Sequence, residues 1–189
     1  MKHTEEYYKN KVMTIPNILS LFRLLLIPVI VWLYVVKENP VWTTVMLTLS
    51  GVTDIVDGII ARKCHMVSNF GKAFDPVADK LTQIAMLFCL VTRFRWMLLP
   101  LGVLVVKEIF AAVSGLIVIR KTGMVLGAVW HGKAATVSIY TMMIIHLMWF
   151  DIPTVISGML IGACTSIVLL SAILYGIRNL NVLKQGERR

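Results

Sequence analysis

Long apolar runs broken by brief polar interruptions set the rhythm of this chain. A helix that crosses a bilayer needs roughly 20 mostly apolar residues. Six stretches fit that length, at about 16–36, 41–61, 73–92, 96–119, 133–150 and 153–177. The third is weakest at its start, because Asp75 and Asp79 fall in its first turns. Pro16 and Pro76 suit helix starts, where a missing backbone N–H costs least. Residues 37–40, 93–95 and 151–153 read as short turns on one side of the bundle. The pattern predicts an all-α integral membrane protein of six transmembrane helices. No polar stretch is long enough for a separate soluble domain, so residues 1–189 are expected to form one domain. Residues 1–13 are polar and mixed in charge, without the apolar core of a signal peptide, so no cleavage is expected. With Tyr7 and Tyr8 beside Glu5, Glu6 and Lys9, they suit either a short interfacial helix or a frayed tail.

Composition sharpens this picture. The chain is 58% hydrophobic and 15% charged, against about 25% charged in soluble domains. The formal net charge is +9, but the basic residues gather between and after the apolar runs and form no aromatic-interleaved patch. They are therefore a topology signal or a contact for anionic headgroups, and no nucleic-acid partner is expected. One side of the predicted bundle carries Lys2, Lys9, Lys11, Arg62, Lys63, Lys72, Arg120, Lys121, Lys133, Arg178, Lys184, Arg188 and Arg189, and the other only Lys37, Arg93 and Arg95. Both termini are thus expected in the cytoplasm. Cys64, Cys89 and Cys164 have no CxxC spacing and read as small apolar side chains. Gly158, Gly162 and Ser166 form a stripe of small residues, suited to packing within a bundle or to a dimer contact.

Against this apolar background stand four aspartates. Asp54 and Asp57 share a helix face with Gly58 and Ala61, flanked by Arg62, while Gly71, Asp75 and Asp79 are spaced four and four. A short linker, 63–70, joins the two stripes as a hairpin and brings four carboxylates toward one pocket at the cytoplasmic end of the second and third helices. Acids at membrane depth need a partner and are functional by default. Oxygen-only ligands suit hard cations, Mg²⁺ or Mn²⁺, and the charge count fits two of them. On geometry alone other readings stay open: a proton or cation pathway, or acids salt-bridged to Arg62, Lys72 and Lys80.

From Asp54 to Asp79 the residues spell Asp-x2-Asp-Gly-x2-Ala-Arg-x8-Gly-x3-Asp-x3-Asp, without gap or substitution. This resembles the signature of the CDP-alcohol phosphatidyltransferase family, and the six spans and chain size are similar too. The resemblance implies transfer of a phosphoalcohol group from a CDP-linked donor to an acceptor hydroxyl, with release of CMP. It implies that Asp54, Asp57, Asp75 and Asp79 hold two divalent cations and that Asp79 also takes the acceptor's proton. Gly58, Ala61, Arg62 and Gly71 would line the CDP site. The stretch from Met13 through Pro16, Asn17, Ser20 and Arg23 to Pro28 resembles the first helix of phosphatidylglycerophosphate and cardiolipin synthases. That implies CDP-diacylglycerol as donor, with Asn17 and Arg23 near the nucleotide, although a helix-start polar residue and a snorkelling charge describe them equally well.

Acceptor choice rests on basic residues further along. Lys107 and Glu108, inside the fourth span, are either a structural ion pair or the lining of an acceptor cavity. Gly132-Lys133-x2-Thr136 resembles a segment of phosphatidylglycerophosphate synthases. Lys133, Arg120 and Arg178 are then candidates to grip an acceptor phosphate, with interfacial anchoring as the alternative. His131 and His146 read as interfacial and packed. One departure bears on the acceptor: those synthases carry an arginine two turns after an Arg-Glu pair, where this chain has Gly115 after Lys107-Glu108. Glycerol 3-phosphate ranks narrowly first as acceptor, and phosphatidylglycerol, giving cardiolipin, remains open. The resemblance also implies a homodimer in a bacterial cytoplasmic membrane. A membrane cation transporter is the competing reading from another class.

Overall fold

The computed structural model describes residues 14–63, 69–122, 130–149 and 151–186, leaving aside the side chains of 15, 16, 57, 58, 61, 62, 69–74, 122 and 184–186. Six α-helices run through the described residues: α1 Ile15–Val35, α2 Pro40–Lys63, α3 Asn69–Val91, α4 Leu98–Thr122, α5 Trp130–Met148 and α6 Thr154–Gly186. A 3₁₀ turn, Arg95–Met97, leads into α4. The expected interfacial segment at 1–13, Cys64 and the linker core at 64–68 lie outside the described residues.

The helices begin where local chemistry starts them. Thr14, extended, caps α1 by accepting from the Asn17 N–H. Glu38 takes a left-handed φ of 47° in the turn before α2. Asn39 then accepts the Trp42 N–H on its side-chain oxygen at 3.1 Å, the hydrogen bond expected of an N-cap asparagine. Pro76 corrects the sequence reading: α3 begins at Asn69, so this proline lies inside the helix. Pro28 also lies inside α1. An interior proline removes one backbone hydrogen bond, a loss that helices in lipid accommodate through neighbouring groups. The last helix runs past its expected end at 177, because nothing before Gly186 breaks it. Among the described residues three helices are long and apolar enough to cross a bilayer, over Asn17–Val35, Arg95–Lys121 and Thr154–Leu183, with a shorter apolar helix at Pro40–Val56. The apolar helices make this an integral membrane protein.

The chain divides into two compact units, Met1–Cys89 and Leu90–Arg189. In the first, α1 packs along α2, and Leu26, Ile30, Leu47, Met86 and Leu87 are buried. In the second, α6 packs against both α4 and α5, around Leu104, Ile139, Met143, Ile161 and Val168.

Candidate active site

In the first unit, α1 turns a polar flank inward. Asn17, Ser20 and Arg23 follow at three-residue spacing and are all buried, and Leu26 and Ile30 continue that face as apolar packing. The Arg23 guanidinium, wholly buried, meets the Asp54 carboxylate of α2 at 2.7 Å. Such a charge is tolerated in an apolar setting only with a partner. The Ser20 hydroxyl donates to Asp75 of α3. One turn beyond Asp79, the fully buried Gln83 donates its side-chain amide to Asp79 Oδ2 at 2.8 Å. The Lys80 ammonium stands 3.6 Å from the same oxygen. The charges of Asp79 and Asp75 both act on Asp54, so these carboxylates share one electrostatic neighbourhood.

Each described aspartate of the Asp54–Asp79 motif thus leans on a different neighbour: Asp54 on Arg23, Asp75 on Ser20, and Asp79 on Gln83 and Lys80. Among the described residues no three histidine, cysteine or acidic side chains come together as a metal-ligand group. The side chains of Asp57, Gly58, Ala61 and Arg62 on α2, and of Gly71 on α3, lie outside the described residues. The donors present are carboxylate oxygens, a set that suits a hard divalent cation and disfavours zinc or copper. The donor chemistry therefore fits the expected cation.

In the second unit, polar side chains from three helices meet at Tyr175 of α6. Lys107 of α4 is 5% exposed and pairs with Glu108 at 2.7 Å. Its ammonium lies 5.9 Å from the centroid of the Tyr175 ring, and the Arg178 guanidinium lies 5.2 Å from it. His131 of α5 sets its ring at 82° to Tyr175, centroids 4.8 Å apart, and its Nδ1 is hydrogen-bonded with Ser171 Oγ at 3.1 Å. Burial, and then the charges of Arg178 and Lys107, hold the His131 pKa below its ordinary value. Asn179 donates to Ser114 Oγ at 2.7 Å. Of the four expected acceptor residues, Lys107 and Arg178 are thus brought to one ring, while Arg120 and Lys133 are exposed near the end of α4 and the start of α5. His146 is buried between the Met142 carbonyl and Ser157 Oγ, a packed position.

Sequence reasoning passed over Gln83, Ser20's link to Asp75, Ser171 and Tyr175. Two of these carried a readable signal. Gln83 extends the four-residue series of Gly71, Asp75 and Asp79, and Ser20 sits midway between Asn17 and Arg23 in an otherwise apolar run.

The sequence model of the CDP-alcohol phosphatidyltransferase family matches residues 13–176. A CDP-diacylglycerol–glycerol-3-phosphate 3-phosphatidyltransferase of Haemophilus influenzae is 37% identical over 99 residues, covering 50% of this chain and 54% of its own. One of the same name from Blochmanniella floridana is 33% identical over 102 residues, covering 52% and 54%. A cardiolipin synthase (CMP-forming) of Streptomyces coelicolor is 39% identical over 89 residues, covering 44% and 41%. The chain spans about half the length of the curated relatives it matches.

Proposed function

This chain belongs to the CDP-alcohol phosphatidyltransferase family, and from that premise we propose that it moves the phosphatidyl group of CDP-diacylglycerol to glycerol 3-phosphate, releasing CMP and forming phosphatidylglycerophosphate. The observation that carries this reading is the unbroken motif from Asp54 to Asp79, set on α2 and α3 of an apolar chain with Asp54, Asp75 and Asp79 each held by a polar partner.

Asp54, Asp57, Asp75 and Asp79 would hold two divalent cations, Mg²⁺ or Mn²⁺. When bound, these ions neutralise the diphosphate and stabilise the departing CMP. The chain's own residues do the rest. Arg23 and Ser20 fix the orientations of Asp54 and Asp75. Asn17, Gly58, Ala61, Arg62 and Gly71 line the CDP moiety, with glycine and alanine leaving room for a bulky ligand beside the acids. Asp79 takes the proton of the acceptor hydroxyl as that oxygen attacks the phosphorus bearing diacylglycerol. A new phosphorus–oxygen bond forms, the bond to the CMP oxygen breaks, and CMP departs with the electron pair. Gln83, holding Asp79 Oδ2, keeps the base aimed. Lys107, Arg120, Lys133 and Arg178 grip the acceptor's phosphate.

The reaction is placed at the cytoplasmic face of a bacterial membrane, with both termini inside, and the working unit is a homodimer. The charge asymmetry supports the orientation, and family resemblance supports the dimer. A second acceptor is favoured by one observation. Gly115 stands where related synthases carry an arginine, so the chain offers one phosphate-binding cation fewer than glycerol 3-phosphate finds in them, which leaves phosphatidylglycerol as the second acceptor. The test is incubation of purified protein with labelled CDP-diacylglycerol, Mn²⁺ and each acceptor in turn, with lipid products separated by thin-layer chromatography. Phosphatidylglycerophosphate from glycerol 3-phosphate is expected. Cardiolipin from phosphatidylglycerol, with no product from glycerol 3-phosphate, selects the second acceptor. Ion flux in proteoliposomes with no lipid product from any acceptor selects the transporter.

A further inference from the structure

Two like charges approach one aromatic ring in the second unit, although Lys107 and Arg178 stand on different helices and repel each other. The Tyr175 ring has a negative π face that attracts a cation within about 6 Å, most strongly where water is excluded. Lys107 lies 5.9 Å and Arg178 5.2 Å from its centroid, so the ring adds to the Glu108 carboxylate, 2.7 Å from Lys107, in offsetting the repulsion between them. The hydroxyl end of the ring is fixed separately. A Cβ on Gly132 would stand 3.1 Å from the Tyr175 hydroxyl oxygen, a tight contact that would push the hydroxyl aside by a few tenths of an ångström, so the glycine leaves the space the hydroxyl occupies. Gly132 directly precedes Lys133, and His131 on its other side braces the ring at 82°. Tyr175 therefore ties together the first turn of α5, the buried lysine of α4 and the arginine of α6.

We propose that Tyr175 is the positioning residue for the cations that receive the acceptor's phosphate, its ring setting the Lys107–Arg178 spacing and Gly132 seating its hydroxyl. This rests on the acceptor reading given above. Acting through Lys107 and Arg178, Tyr175 is expected to affect acceptor binding and to spare the donor.

The experiment measures the KM for each substrate and kcat on purified Tyr175→Leu, Tyr175→Phe, Gly132→Ala and the double variant Gly132→Ala/Tyr175→Phe. Tyr175→Leu is expected to raise the KM for glycerol 3-phosphate about tenfold, with the KM for CDP-diacylglycerol and kcat within about twofold of the parent. Tyr175→Phe keeps the π face and restores the acceptor KM to within about threefold. Gly132→Ala raises the acceptor KM, and removing the hydroxyl in the double variant relieves much of that rise. Equal changes in both KM values for Tyr175→Leu, or no relief in the double variant, overturn the proposal and leave Tyr175 a packing residue. A parent protein that makes no lipid from glycerol 3-phosphate overturns the acceptor reading instead, and is seen before any variant is measured.

Discussion

Arg23 shows how a single residue reports its role. It is wholly buried on an apolar helix, and the 2.7 Å contact with Asp54 makes that placement tolerable. The sequence showed Arg23 only as an isolated cation in an apolar run, equally a snorkelling charge, because its partner sits on the next helix. Arg23→Met should lower stability by about 1–3 kcal/mol, less than a fully buried pair because Asp54 is half-exposed. A thermal melt in detergent micelles checks it, and an unchanged midpoint contradicts the pairing. Arg120 and Lys133 were candidates by resemblance to phosphatidylglycerophosphate synthases, and both are exposed, so their contribution is expected to be electrostatic. Arg120→Ala or Lys133→Ala should raise the KM for the acceptor several-fold more than that for the donor, an effect that fades as salt screens exposed charge. Initial rates at two ionic strengths give the answer, and equal effects on both substrates would remove them from the acceptor site.

At the scale of elements, helix existence was readable and helix ends were less so. Six expected runs correspond to six helices among the described residues, three of them long and apolar enough to meet what lipid demands of a spanning segment. Ends depend on capping and on where the backbone can continue, which hydropathy does not record. Thus α3 starts at Asn69 and carries Pro76 inside it, and α6 continues through Arg178 and Asn179 to Gly186. The small-residue stripe on α6 is a case in point. Spacing suggested close packing, but a Cβ at Gly158 or Gly162 would meet nothing within 4 Å. Gly158→Ala and Gly162→Ala should therefore leave the melting temperature of the micellar monomer unchanged or raised, since alanine is favoured over glycine in a helix by about 1 kcal/mol. A clear loss of stability would mean that a neighbour packs on this stripe.

Across the whole chain, polarity is arranged opposite to that of a water-soluble protein. Arg23, Lys107, Asn179 and His146 are buried, while Leu25, Val106, Trp130 and Met159 are largely exposed. Water makes so large an apolar exterior unfavourable, whereas hydrocarbon does not. This inversion was legible in composition, and the acidic motif in spacing alone. Lys80 and Gln83, on the same helix as Asp79, could be read from spacing, whereas the pairings Arg23–Asp54 and Ser20–Asp75 could not, because they cross between helices and no periodicity within one helix announces them. The account depends on chemistry at Asp79, and CMP release tests it most directly. Purified protein given CDP-diacylglycerol, glycerol 3-phosphate and Mn²⁺ should release one CMP for each lipid formed. Asp79→Asn should release essentially none while still binding CDP-diacylglycerol. Undiminished CMP release by Asp79→Asn, or none from the parent with any acceptor, would contradict the account.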